Sequence, residues 1–163
     1  MDKIRFSLNE AESVSVKGQF DEDSSIFMSK LFFERLKNNE SDLSVFKMGG
    51  GNKPCIKIEI DDFIGKVKIL AGSNGIVKLG CCGQVNLDLR IGYDSKIVIG
   101  DKTTANNVKI ISINSDILIG EDCMFSDGIL LQGFDQHGIV DLGTGEIINN
   151  TRGFIKIENH VSN

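Results

Sequence analysis

Short apolar strands separated by turn residues recur along most of this chain, and they recur at a constant interval. Asn74-Gly75-Ile76-Val77-Lys78-Leu79-Gly80, Asp94-Ser95-Lys96-Ile97-Val98-Ile99-Gly100 and Asn114-Ser115-Asp116-Ile117-Leu118-Ile119-Gly120 superpose residue by residue. Each copy leads with a turn dipeptide, continues as a branched apolar strand and closes on glycine. The glycines at 80, 100 and 120 stand twenty residues apart. An earlier copy begins at Cys55-Ile56-Lys57-Ile58, slightly out of phase, and a later one is Phe154-Ile155-Lys156-Ile157-Glu158. Self-similarity at a period of this size is the signature of stacked repeats. A single winding cannot bury its own apolar face, so it is stable only against a similar neighbour. Ile and Val suit such stacks because they are stiff and fit a pleated face. Glycine or asparagine at each corner accommodates the bend. The pattern predicts an all-β parallel solenoid over residues 53–163. An antiparallel sandwich also has short strands and frequent turns, but it does not demand strict similarity at twenty.

Upstream the texture differs. Ile4, Phe6 and Leu8 alternate, then Val14 and Val16, consistent with a hairpin or loose strands. Asp23-Ser24-Ser25 supplies an N-cap, and Ile26, Phe27, Leu31 and Leu36 follow at helical spacing, predicting a helix over about 25–38. Gly49-Gly50-Gly51-Asn52 is a break. Residues 1–52 are therefore expected to form an N-terminal cap with one helix, whose aromatic residues Phe27, Phe32, Phe33 and Phe46 seal an open end of the solenoid.

Between Ile119 and Ile157 the repeat is interrupted. A polar, glycine-containing stretch at about 133–153 reads as a loop inserted on a regular scaffold, where function tends to sit. It holds His137, one of two histidines in the chain, flanked by Asp135 and Asp141. A carboxylate beside an imidazole fixes its tautomer and supports the imidazolium, which is the usual construction of a general base. His160 lies in another element, and no Cys or His partner stands at ligand spacing, so no metal site is expected.

Composition narrows the class. Hydrophobic residues make up 40 % of 163, too many for a disordered chain. The net charge of −5 speaks against nucleic acid as a partner. No apolar run approaches the length of a membrane span, and the N-terminus lacks a secretory signal, so the chain reads as cytoplasmic. Cys55, Cys81, Cys82 and Cys123 match no zinc spacing and are expected to be buried or half-buried thiols.

Three segments in order carry a resemblance: Ile119-Gly120-Glu121-Asp122-Cys123-Met124-Phe125-Ser126, Asp135-Gln136-His137-Gly138-Ile139-Val140-Asp141 and Thr144-Gly145-Glu146-Ile147-Ile148-Asn149. Together they resemble the hexapeptide-repeat acyltransferases of bacterial capsule and lipopolysaccharide biosynthesis, over residues 75–161. The resemblance implies a left-handed parallel β-helix, a homotrimer with sites between subunits, and acetyl transfer from acetyl-CoA to a sugar hydroxyl. His137 would be the catalytic base and Asp135 its orienting partner. Glu158 and Ser162 depart from the glycine and tryptophan of the family's next coil. The further coils that form much of its acyl-CoA groove do not follow, so no cofactor-binding residue carries over. The chain thus reads as a C-terminally truncated relative, inactive alone if those coils are required. The alternative is a non-catalytic trimeric scaffold or sugar-binding module.

Overall fold

In a computed structural model of the chain, which describes residues 2–50, 52–135, 137–149 and 151–162, the repeat folds as a β-solenoid of about four turns. Gly51 of the glycine break, and Gln136 and Asn150 of the insert, lie outside the described residues. The strands are β1 (Lys3–Ser7), β2 (Ser15–Lys17), β3 (Ser25–Ser29), β4 (Ser41–Lys47), β5 (Ile56–Ala71), β6 (Gly75–Ile91), β7 (Ser95–Ile99), β8 (Thr104–Ser112), β9 (Ser115–Ile119), β10 (Met124–Phe125), β11 (Leu130–Gln132) and β12 (Gly153–Ile157). Among the described residues one α-helix, α1 (Lys30–Lys37), follows β3, and a short 3-10 turn, Leu8–Glu10, follows β1.

One column of strands runs β3-β5-β6-β7-β9-β12, each parallel to the next. Its register places Leu79 on Ile99, Ile99 on Ile119 and Ile119 on Ile157. The glycine-terminated segments therefore stack in parallel, and an antiparallel sandwich is ruled out. A second column joins β4, β5, β6, β8 and β11, again in parallel. β1 alone among the named strands pairs antiparallel, with β3.

The period of twenty survives an irregularity. Val85 lies opposite Ala105, but Leu87 lies opposite Val108, so one extra residue is absorbed there. Asn107 takes it up with a left-handed backbone, φ 52°, as a bulge requires. The next corner is one residue shorter, three between Ile91 and Ser95 against two between Ser112 and Ser115, and the column comes back into phase.

The core consists of the inward side chains of successive windings. Ile58, Val77, Ile97 and Ile117 form one fully buried ladder, and Ile69, Leu89 and Ile110 another. Rungs sit about 4.8 Å apart, close enough for like side chains to remain in contact along the axis. Cys82 and Cys123 are buried, Cys55 and Cys81 half-buried, and all four are free thiols.

The helix is shorter than its sequence pattern suggests. Residues 25–29 form β3, with Ile26 and Met28 buried and pairing with Ile58 and Ile60 of β5. An alternating Ile-x-Met is usable by a pleated face as well as by a helix, and the available edge of β5 decides the matter. The helix instead starts after Ser29, whose hydroxyl accepts the Phe32 N–H at 3.1 Å. Phe32 and Leu36 are buried, and the Phe32 ring meets that of Phe63 with centroids 4.5 Å apart. Because β3 and β4 pair in parallel with β5, the parallel winding begins well before residue 53.

Candidate active site

The insert leaves the solenoid after β11 and returns at β12, spanning residues 133–152. Its root is close-packed. A side chain on Gly153 would run into the carbonyl oxygen of Gly133, so the two stems cross with no room for a Cβ. Arg152 ties the returning stem to the repeat corner, donating to the Asp94 carbonyl at 2.7 Å and to Asp116 Oδ1 at 2.6 Å.

Beyond this root the insert is a hairpin. Val140 and Ile147 form an antiparallel bridge, and the Ile148 N–H donates to the Ile139 carbonyl at 2.9 Å. Its turn is built on Asp141, whose Oδ1 accepts the Gly143 and Thr144 N–H groups, each at 2.8 Å. Those two donors hold the Asp141 carboxyl below the usual carboxylate range. Gly145 occupies the left-handed position of the turn at φ 72°. Apolar Ile139 and Val140, then Ile147 and Ile148, flank this turn, where the sequence predicts only a loop.

His137 stands at the base of this hairpin. Its Nδ1 lies 3.1 Å from Asp135 Oδ1, and its backbone N–H donates to the same oxygen at 3.1 Å. The backbone donor first, then the ring, keep the Asp135 carboxyl below its ordinary range. An ionised Asp135 only accepts, so a neutral imidazole donates through Nδ1 and leaves its lone pair on Nε2. Of the two flanking aspartates, Asp135 meets the histidine while Asp141 is used by the turn. The imidazole is 92 % exposed, so within one chain the pair is oriented but unwalled.

The second histidine forms a separate pair. His160 Nδ1 lies 3.0 Å from Asp122 Oδ2 on a corner of the solenoid, away from the insert's root. Sequence spacing gave no hint of that contact, since it joins residues 38 apart across two windings.

A group able to supply metal ligands does occur. Asp61, Cys81 and Asp101 bring one ligand atom each within 4.8 Å of one another. Their polar needs are met internally. Lys3 pairs with Asp61 at 2.9 Å, and Asp101 Oδ1 accepts the Cys81 N–H at 2.8 Å. Burial, then the Asp101 charge, push the Cys81 thiol upward, away from the thiolate a metal needs.

Comparison of the chain with protein-family models, with curated proteins and with solved structures found no match.

Proposed function

We propose that this chain is a CoA-dependent O-acetyltransferase acting on a sugar hydroxyl in bacterial surface-polysaccharide biosynthesis, with acetyl-CoA as donor, and that it works in the cytoplasm. The observation that carries the reading is the His137–Asp135 pair, held on a hairpin that a rigid solenoid presents at a defined corner. With Nδ1 donating to Asp135, the lone pair of a neutral imidazole falls on Nε2 of this exposed ring. In the proposed reaction that nitrogen takes the proton of the acceptor hydroxyl as its oxygen bonds to the thioester carbonyl carbon. Collapse of the adduct breaks the C–S bond, and the imidazolium returns the proton to the CoA sulfur. Asp135 steadies the imidazolium between the two transfers. The winding that belongs with this reading is left-handed.

The exposure of His137 supports a multi-chain site. A base standing free in water lacks the walls that orient two substrates and exclude solvent. The hairpin also displays Ile139, Val140, Leu142, Ile147 and Ile148, with Leu142 99 % exposed. Apolar surface gathered on one protruding element marks an interaction site. A homotrimer, in which each hairpin lies against a neighbouring subunit, would bury it and close the site.

The test is release of the CoA thiol from acetyl-CoA in the presence of saccharide acceptors. The wild type should turn over, and His137→Ala should lose about 10²- to 10⁴-fold, the usual worth of a general base. The openness of the pair favours a second reading, a non-catalytic trimeric scaffold or sugar-binding module. Titration calorimetry showing no heat with acetyl-CoA at high concentration would select that reading.

A further inference from the structure

We infer that Asn149 is the positioning residue for the His137–Asp135 pair. Its kinetic consequence rests on the acetyltransferase reading, while its structural consequence does not. The backbone ladder of the hairpin includes the bond from the Ile148 N–H to the Ile139 carbonyl. One step further toward the root, where His137 lies, the Asn149 side chain bonds the facing backbone. Its Oδ1 accepts the Ile139 N–H at 2.8 Å, and its Nδ2 donates to the His137 carbonyl at 2.7 Å.

One planar amide thus brackets the segment His137-Gly138-Ile139 from both ends. It contributes one acceptor and one donor, the same complement a strand residue would offer. Gly138 between them has no side chain to brace the backbone, so the amide is the device that keeps this exposed turn from opening. The consequence reaches the imidazole through two bonds. With the His137 carbonyl fixed, its peptide is fixed, and its N–H stays on Asp135 Oδ1 beside the ring Nδ1 contact. Freed of Asn149, the His137 backbone can rotate, and the ring and the N–H lose their common acceptor together. The Asn149 amide bonds the backbone of Ile139 and His137 and not the imidazole or the carboxylate, so its role is exerted through the His137 main chain.

The chemistry asks for an amide at this position. Aspartate would keep the acceptor for Ile139 N–H but place an acceptor against the His137 carbonyl, where a donor is needed. Alanine removes both bonds. Nothing on the outer turn substitutes for either, since the Asp141 carboxylate is occupied by Gly143 and Thr144.

Two measurements on the full chain test this. The first is ¹⁵N NMR of the imidazoles, which reports the nitrogen that carries the proton. In the wild type His137 should be the Nδ1–H tautomer. In Asn149→Ala it should shift to mixed tautomers, as is also expected of Asp135→Asn, while amide signals of β7 and β9 stay in place. Asn149→Asp should fall between the two. An imidazole spectrum identical in wild type and Asn149→Ala overturns the inference. The second measurement is kinetic. Asn149→Ala should lower kcat about 10- to 100-fold with KM nearly unchanged, the scale of a misplaced catalytic group. A loss carried by KM alone also overturns it. A wild type without turnover defeats the acetyltransferase reading, and the NMR comparison then decides the role of Asn149 by itself.

Discussion

Gly80, Gly100 and Gly120 occupy equivalent places in the repeat, and their purpose differs from what the sequence suggests. Corner glycines are expected to supply left-handed backbone angles. Here that conformation belongs to Lys102 and Asp122 at the glycine corner, with φ of 59° and 54°, and to Asn74, Asp94 and Asn114 at the preceding corner, with φ of 57°, 47° and 45°. Asn and Asp tolerate it better than other residues with a side chain. The repeat glycines serve close stacking instead. A Cβ on Gly100 would stand 2.6 Å from the Gly120 carbonyl oxygen, which is backbone and cannot swing aside. Gly100→Ala should therefore destabilise the fold by about 1–3 kcal/mol, the usual scale of overpacking. A thermal melt indistinguishable from wild type would show that the windings are spaced more loosely than this. The candidate residues at this scale were legible in part. His137 could be picked out by type, with Asp135 and Asp141 as flanking carboxylates, and Asp135 is named through the family resemblance. Arg152 and Asn149 could not, since their importance lies in partners brought close only by the fold.

At the scale of elements, local pattern was reliable where the stack reinforced it. The strands around Ile97 and Ile117 alternate inward and outward as read, because neighbours above and below impose the same pleat. Ile97 is fully buried between Val77 and Ile117. Ile97→Ala should lower unfolding stability by about 2–5 kcal/mol, checked by denaturant titration. A loss under 1 kcal/mol would mean that the ladder collapses around the gap. Pattern failed at residues 25–29, where helical and strand periodicities coincide and the edge of β5 settles the choice. It was also silent about the hairpin of residues 139–148, whose apolar residues face solvent and so leave no burial pattern to read.

For the whole molecule, two properties extend beyond any one winding. The first is acid sensitivity. Glu59 lies between Lys3 and Lys78, and the hydrogen bonds from these two ammonium groups hold its carboxyl below the ordinary range. A depressed folded-state pKa stabilises above the unfolded value of about 4.3 and stops doing so as pH falls through the folded value. The melting temperature should fall on acidification below about pH 4, and Glu59→Gln should be less stable at neutrality with a shallower decline. Equal slopes for both proteins would place the acid-sensitive group elsewhere. The second is assembly. If the hairpin meets a neighbouring subunit, light scattering should give three chains, and Leu142→Ser with Ile147→Ser should give one, with the circular dichroism of the solenoid intact. A single-chain mass for the wild type would remove the trimer. By itself the sequence determined that the chain coils in parallel, because an interval of twenty with branched apolar residues can bury its faces only against copies of itself. It also drew attention to the imidazole by residue type, while the fold decided that Asp135 rather than Asp141 meets it. Only the tertiary structure decided where the first winding starts, why the repeat glycines are needed, and which side chains hold the hairpin, since each depends on an atom from another winding or another strand standing a few ångströms away.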